Sequence, residues 1–371
     1  KALKGIAFKQ PNAELHKPIG QLLDQKKYVR PREIARAAIS LLKVEPQLQK
    51  YLTELNIGKS EQSLQQTVSE FCELPLLLKI MSVCPLADLQ LETLLKDVRA
   101  KLLFAMPSLQ ATPNLLEFQS ALALQCFTNE YVYEETEHEK NGFRALEASV
   151  EAAISKGEYP SDHVILCLAS YKALHEYKWC DLLPCSQNIQ TVIERQINEP
   201  ISEIHLKPTI PLLEEIADDV SLKVKTQYER NPYPRWINSE LVLNAEPISK
   251  VVSHLNIKLF DTDICKATTP NILIAGCGTG QHSICTAARF KNSRVLAVDL
   301  SLSSLAYAKR KTEEFDVTNI EYMQADILKL EKLDRRFDIV ESAGVLHHMD
   351  QPMKGWKVLV DCLNEGGLMK I

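Results

Sequence analysis

Three places in the C-terminal third carry side chains and backbone whose types and spacing could hold a ligand. Gly276-Cys277-Gly278-Thr279-Gly280 directly follows an apolar run and opens a helical pattern. Glycine there lets a ligand come close to the backbone, where a Cβ would stand in the way. Asp299 ends the next apolar run, 19 residues after Gly280. A carboxylate at that point can accept hydrogen bonds from both hydroxyls of a ribose. Asp326 follows a third run, in Gln324-Ala325-Asp326-Ile327, placed to accept from an adenine amino group. A glycine loop is shared with dinucleotide folds, so the spacing matters. Their GxGxxG form needs a third glycine at 281, where this chain has Gln281. A pyrophosphate would also want an unobstructed helix N-terminus.

Positioning these groups requires strands that alternate with helices. From Asn271 onward the pattern supplies them. Strands are expected at Asn271 to Ala275, Arg294 to Val298, Ile320 to Met323 and Phe337 to Val340. Helices are expected from about Gly280 to Phe290, Leu302 to Phe315 and Lys354 to Leu363, after which Gly366-Gly367 turns into a fifth strand. Such alternation implies a parallel α/β sheet, with ligands at the carboxyl ends of its strands.

The loop, Asp299, Ala325-Asp326, Phe337-Asp338-Ile339-Val340 and Val345-Leu346-His347-His348-Met349 together resemble the class I, Rossmann-like methyltransferases that use S-adenosylmethionine. The resemblance covers about residues 270 to 371. It implies that Gly276, Cys277, Gly278 and Gly280 pack against the methionine part of the cofactor. It also implies that Asp299, with Leu300, holds the ribose, that Asp326 holds the adenine amine and that Ile327 packs on the ring. Glu341 would touch the cofactor's amino group or the substrate, or stand as a solvated carboxylate at a strand end. The family's sheet has seven strands, and five are readable here. With an opening at Lys1 and a stop at Ile371, the expectation is a fragment truncated after strand five.

The methyl acceptor is less legible. The run Glu341-Ser342-Ala343-Gly344-Val345-Leu346-His347-His348-Met349 lacks the Asn/Asp-Pro-Pro-Tyr motif of many enzymes that methylate adenine or glutamine nitrogen. It resembles the branch that methylates carbon or oxygen of small molecules. His347 and His348 would serve as a general base, since imidazole titrates near working pH; equally, the pair would cap or pack the turn before the next helix. No metal is expected at His347, His348 and Asp350. Upstream lies Tyr228-Glu229-Arg230-Asn231-Pro232-Tyr233-Pro234-Arg235-Trp236. Tyr228, Tyr233, Arg235 and Trp236 read either as an aromatic lid that excludes water from the site, or as a rigid proline connector. Helix is expected from Leu212 to Tyr228 and from Ser239 to Leu255.

Residues 1–205 show helical periodicity and almost no strand signal, so a large all-α array or bundle should precede the α/β core. Its expected stripes include Ile34, Ala37, Ala38, Leu41 and Leu42, and Leu91, Leu94, Leu95, Val98 and Leu102. Another helix is expected from His163 to Tyr177, with Ser161-Asp162 as its cap. Phe127 to Glu137 interleaves aromatic and acidic residues, as a solvated helix face or as a surface for a protein partner or a substrate. The division is then 1–205 helical, 206–258 connector and lid, and 259–371 core. The combination resembles bacterial methyltransferases fused to tetratricopeptide-type arrays, although no fixed repeat is visible. A net charge of −5 argues against bulk nucleic acid as a partner. The most apolar stretch, Leu74 to Leu86, is broken by Pro75, Lys79 and Pro85, so no membrane helix is expected. Ten scattered cysteines, with Cys180 and Cys185 the nearest pair, read as free thiols of a cytoplasmic protein. The function expected is methyl transfer to a small molecule or protein; the alternative is a non-catalytic scaffold that binds the cofactor.

Overall fold

The computed structural model describes residues 3–57, 63–184, 186–255 and 257–371. It divides into two compact units, Lys1–Ile201 with Trp236–Asn238, and Ser202–Arg235 with Ser239–Ile371. The first is helical. Its helices are α1 (Ala13–Leu23), α2 (Pro31–Lys43), α3 (Pro46–Ile57), α4 (Leu64–Cys72), α5 (Pro75–Val83), α6 (Leu89–Ala105), α7 (Pro113–Thr128), α8 (Glu137–Ser155), α9 (Asp162–Ala169) and α10 (Gln190–Ile193). Pro31, Pro75 and Pro113 open α2, α5 and α7, where a missing N–H costs nothing and the fixed φ suits the helix. Asp88 caps α6 by accepting from Leu91 N–H at 3.1 Å. The stripes expected on α2 and α6 are buried.

Two local expectations fail in this unit. The helix expected to reach Tyr177 ends at Ala169, with a short 3-10 turn at Leu174–Glu176. Ser161 does not cap it: its hydroxyl faces His163 Nδ1 at 3.1 Å, and Asp162 accepts from Ser186 and Asn188 instead. The aromatic and acidic run is not a continuous helix face. Glu130 and Tyr131 take positive φ (59° and 54°) and turn the chain, Tyr133 is buried, and Thr136 with Glu139 forms the capping box of α8. Inside the unit Arg99 Nη2 donates to Glu139 Oε1 at 3.0 Å, and Tyr171 donates to the same oxygen at 2.6 Å.

Next come α11 (Glu199–Leu206), α12 (Asp219–Arg230) and α13 (Ile248–Ser253). The α/β unit contains β1 (Asn271–Ala275), α14 (Gln281–Arg289), β2 (Arg294–Asp299), α15 (Leu302–Glu314), β3 (Ile320–Gln324), β4 (Phe337–Glu341), α16 (Pro352–Asp361) and β5 (Leu363–Lys370). The five strands are all parallel, in the order β3-β2-β1-β4-β5. Ile272 to Ala275 are all buried, as a central parallel strand covered on both faces requires. Strand order reverses between β1 and β4, which opens a crevice at their carboxyl ends. This is a Rossmann-like α/β sheet preceded by a large helical region.

Three further corrections concern this unit. Residues 212–218 are not helical. Leu213 N–H donates to the Gln324 carbonyl at 2.9 Å and Gln324 N–H to the Pro211 carbonyl at 2.8 Å, so this segment runs beside the end of β3. Helix begins only after Asp218, which caps α12 through Ser221 N–H at 2.9 Å. Of the helix expected from Ser239 to Leu255, only Ile248–Ser253 forms, directly after Pro247. Gly366-Gly367 does not precede β5 but interrupts it: the register jumps from Phe337↔Leu363 to Ile339↔Leu368. No helix among the described residues is long and apolar enough to cross a membrane. The nine described cysteines are free thiols, and Cys185 lies outside the described residues.

Candidate functional site

The glycine loop leaves the end of β1 with Gly276 and Cys277 N–H groups both donating to the Val298 carbonyl, at 2.8 and 3.0 Å. Gly276, Gly278 and Gly280 all have positive φ (74°, 53° and 82°), but for different reasons. A Cβ on Gly276 would lie 2.3 Å from Val345 Cγ2, and one on Gly280 would lie 2.4 Å from Ala308 Cβ. A Cβ on Gly278 would meet nothing within 4 Å. Two of the glycines therefore let the chain pack on itself, and only Gly278 turns a bare backbone face to open space. Cys277 is buried, and its thiol is pushed well up by burial and by the Asp299 charge, so it is no nucleophile.

Asp299 joins two loops. Its Oδ2 accepts from Gly278 N–H at 2.8 Å and its Oδ1 from Ser301 N–H at 3.0 Å. Burial raises its carboxyl above the ordinary range, against those backbone donors, and the Glu229 charge adds to the rise. The Leu300 N–H also acts on it as a backbone donor, so the carboxylate faces three backbone N–H groups. The Leu300 carbonyl accepts from Gln324 Nε2 at 2.7 Å. Asp326 is buried; its Oδ1 accepts from Leu328 N–H at 2.9 Å, and its Oδ2 accepts no hydrogen bond among the described residues. Ile327 is buried beside it. Gly278 follows β1, Asp299 ends β2 and Asp326 follows β3, at the carboxyl ends of the strands.

Glu341 is not a solvated strand end. It is 5% exposed, accepts from the Thr286 hydroxyl at 2.8 Å, and lies 2.7 Å from His282 Nε2. That last contact is at ion-pair distance but off the line of a good hydrogen bond. Burial would raise the Glu341 carboxyl, but His282 and Thr286 outweigh it and hold it below its ordinary value. The sequence reading missed His282. The signal was there: His282 and Thr286 are four apart in α14, hence on one face of a helix that begins at the glycine loop.

His347 and His348 sit on a 3-10 turn, Leu346–His348, exposed, with ring centroids 4.0 Å apart. Neither ring makes a side-chain hydrogen bond among the described residues. Among those residues no group of three or more His, Cys, Asp or Glu side chains is placed to hold a metal. The upstream aromatic segment is divided. Tyr228 and Arg235 are half-buried and Tyr233 is 62% exposed in the α/β unit, whereas Trp236 is buried and groups with the helical unit.

A second missed residue lies in that segment. Glu229 Oε1 accepts from Leu302 N–H at 2.7 Å, and Oε2 accepts from Ser303 N–H at 3.0 Å and from the Ser303 hydroxyl. Five residues on, the Pro234 carbonyl accepts from Thr279 Oγ1 at 2.8 Å. The segment is thereby fixed at both ends, to the start of α15 and to the glycine loop.

Residues 272–367 match the family model described as a methyltransferase domain. A protein of Synechococcus sp., described as uncharacterized, is 33% identical over 103 residues, 28% of this chain and 25% of its own length. The malonyl-[acyl-carrier protein] O-methyltransferase of Paenibacillus sp. is 31% identical over 104 residues, 28% of this chain and 38% of its own. The chain therefore spans between a quarter and two fifths of the length of these relatives. Among solved structures, PKMT2 from Rickettsia typhi in complex with AdoHcy is 29% identical, with 28% of this chain and 20% of that one covered and a TM-score of 0.26. The α/β unit carries a methyltransferase domain.

Proposed function

We propose that this chain is an S-adenosylmethionine-dependent methyltransferase. The observation that supports it most is the row of strand ends: the open face of Gly278, the carboxylate of Asp299 and the unused Oδ2 of Asp326. These groups fit the cofactor's methionine part, ribose and adenine amine respectively, with Ile327 against the ring. When bound, the cofactor supplies a methyl group on a positive sulfonium, a strong electrophile. The chain contributes positioning, which is where such reactions gain most of their rate. Gly276, Cys277 and Gly280 shape the loop, and Leu300 follows the ribose acid. Glu341, held by His282 and Thr286, sets the first turn of α14 against the end of β4. His347 and His348 are the exposed imidazoles after β4, and we assign them proton acceptance when the nucleophile carries a proton. Tyr228, Tyr233 and Arg235 form the lid in this reading.

The acceptor in this reading is a small molecule or a protein delivered by the helical region, which resembles bacterial tetratricopeptide-type fusions. The division at about residues 205 and 258 belongs to the same proposal, as does a cytoplasmic setting, supported by the free thiols. Calorimetry of the full chain with S-adenosylmethionine and S-adenosylhomocysteine tests it. Asp299→Ala should weaken both by about 1–3 kcal/mol through unpaired ribose hydroxyls. Absence of binding at millimolar ligand sinks the proposal; binding without methylated product in a lysate screen leaves a cofactor-binding scaffold.

A further inference from the structure

The start of a helix exposes N–H groups and partial positive charge, and is a ready place for phosphate. Helix α15 begins three residues after Asp299, so its first N–H groups lie close to that carboxylate in the chain. A phosphate ester on a hydroxyl held by Asp299 would turn to them.

Every one of those donors is taken. Ser301 N–H goes to Asp299 Oδ1 at 3.0 Å, Leu302 and Ser303 N–H to Glu229 at 2.7 and 3.0 Å, and Ser304 N–H to Ser301 Oγ at 3.1 Å. Two carboxylates therefore stand where a phosphate would need donors. Lys207 lies beside them, with Nζ 3.7 Å from Glu229 Oε2 and 2.7 Å from Ser303 Oγ. Glu229 does not serve its own helix. It lies in the last turn of α12, where a carboxylate opposes the helix dipole. Its favourable partner is the start of α15, about seventy residues later in the chain.

We infer that Glu229 is a specificity and positioning residue: it closes the start of α15 against phosphate, so that the site takes adenosine ligands with an unphosphorylated ribose, and it ties the Tyr228–Pro234 segment to the ribose side of the loop. The inference rests on the reading of Asp299 as the ribose acid. It supplies a reason for rejecting phosphorylated nucleotides that is independent of Gln281.

Calorimetry of the full chain with adenosine, adenosine 2′-phosphate, adenosine 3′-phosphate and S-adenosylhomocysteine tests it. The wild type should bind each phosphate at least about 100-fold more weakly than adenosine, from like charge and missing donors. Glu229→Gln keeps an acceptor oxygen but removes the charge. It should narrow that gap about tenfold. Equal wild-type affinity for adenosine and either phosphate overturns the inference, whether or not the variant folds. A gap unchanged in a folded variant overturns the role of Glu229 alone. Failure of adenosine and S-adenosylhomocysteine to bind overturns the ribose reading and this inference with it.

Discussion

Both units bury charge, and they finish it differently. In the helical unit Arg99 and Glu139 face each other with side chains 1% and 3% exposed. Tyr171 closes the cluster, with its hydroxyl on Glu139 and its ring 4.2 Å from the guanidinium carbon of Arg99. Nearby, burial pushes the Cys126 thiol up to about 12, against the pull of Arg99. In the α/β unit Asp299, Asp326 and Glu341 are held by backbone N–H groups, hydroxyls and one imidazole, at strand ends beside an open glycine. A buried ion is thus no sign of function by itself. What separates the two cases is whether acceptor capacity is left over at a place a ligand can enter.

The comparison breaks most sharply in the helical unit. Glu139→Ala should destabilise the chain by about 3–5 kcal/mol, since it leaves Arg99 buried and unpaired. Urea denaturation would measure this, with cofactor affinity unchanged; a loss under about 1 kcal/mol would mean that the pair is solvated. The glycines give the next effect. Gly280→Ala brings a Cβ to 2.4 Å from Ala308 and should cost about 2–3 kcal/mol. Gly278→Ala carries only the backbone strain, about 1–2 kcal/mol, yet should weaken cofactor binding more. Equal stability losses would erase the distinction drawn between them.

The acid limb separates two carboxylates in the α/β unit. Glu341 is held below its ordinary value, so its contribution is fully present above that value and is lost as pH falls through the lower folded one. Asp299 is raised, so ionising it costs stability as pH rises past its ordinary value, and acid relieves that cost. Glu341→Gln should therefore flatten the loss of stability below the ordinary carboxylate range, and Asp299→Asn should steepen it. Melting temperatures recorded from pH 3 to 7 decide the signs. The smallest effect belongs to His347→Ala, whose exposed ring should change stability by less than about 0.5 kcal/mol. A larger change would give the histidine pair a packing role.

Much of the site could be read from local pattern. The strand ends, the glycine loop, Asp299 and Asp326 each announce themselves within a few residues, because a buried parallel strand is a short apolar run and its ligand-side end is polar. His282 and Glu229 did not. His282 gains its meaning from Glu341, 59 residues later and one strand away in the sheet. Glu229 gains its meaning from Leu302 and Ser303, and looks misplaced on its own helix. The helix expected at 212–218 failed for the same reason: residues 211–213 found hydrogen-bond partners on β3.

The sequence by itself determined the alternation of strands and helices, the polar residues at the strand ends and the helical character of the first two hundred residues. Those follow from periodicity and from glycine and proline, which act over one or two turns of chain. Only the tertiary structure decided which glycine is open, which carboxylates keep capacity and which are spent, and what stands at the start of α15. Each depends on atoms brought together from distant parts of the chain, where burial and hydrogen bonding set the energy of a charge.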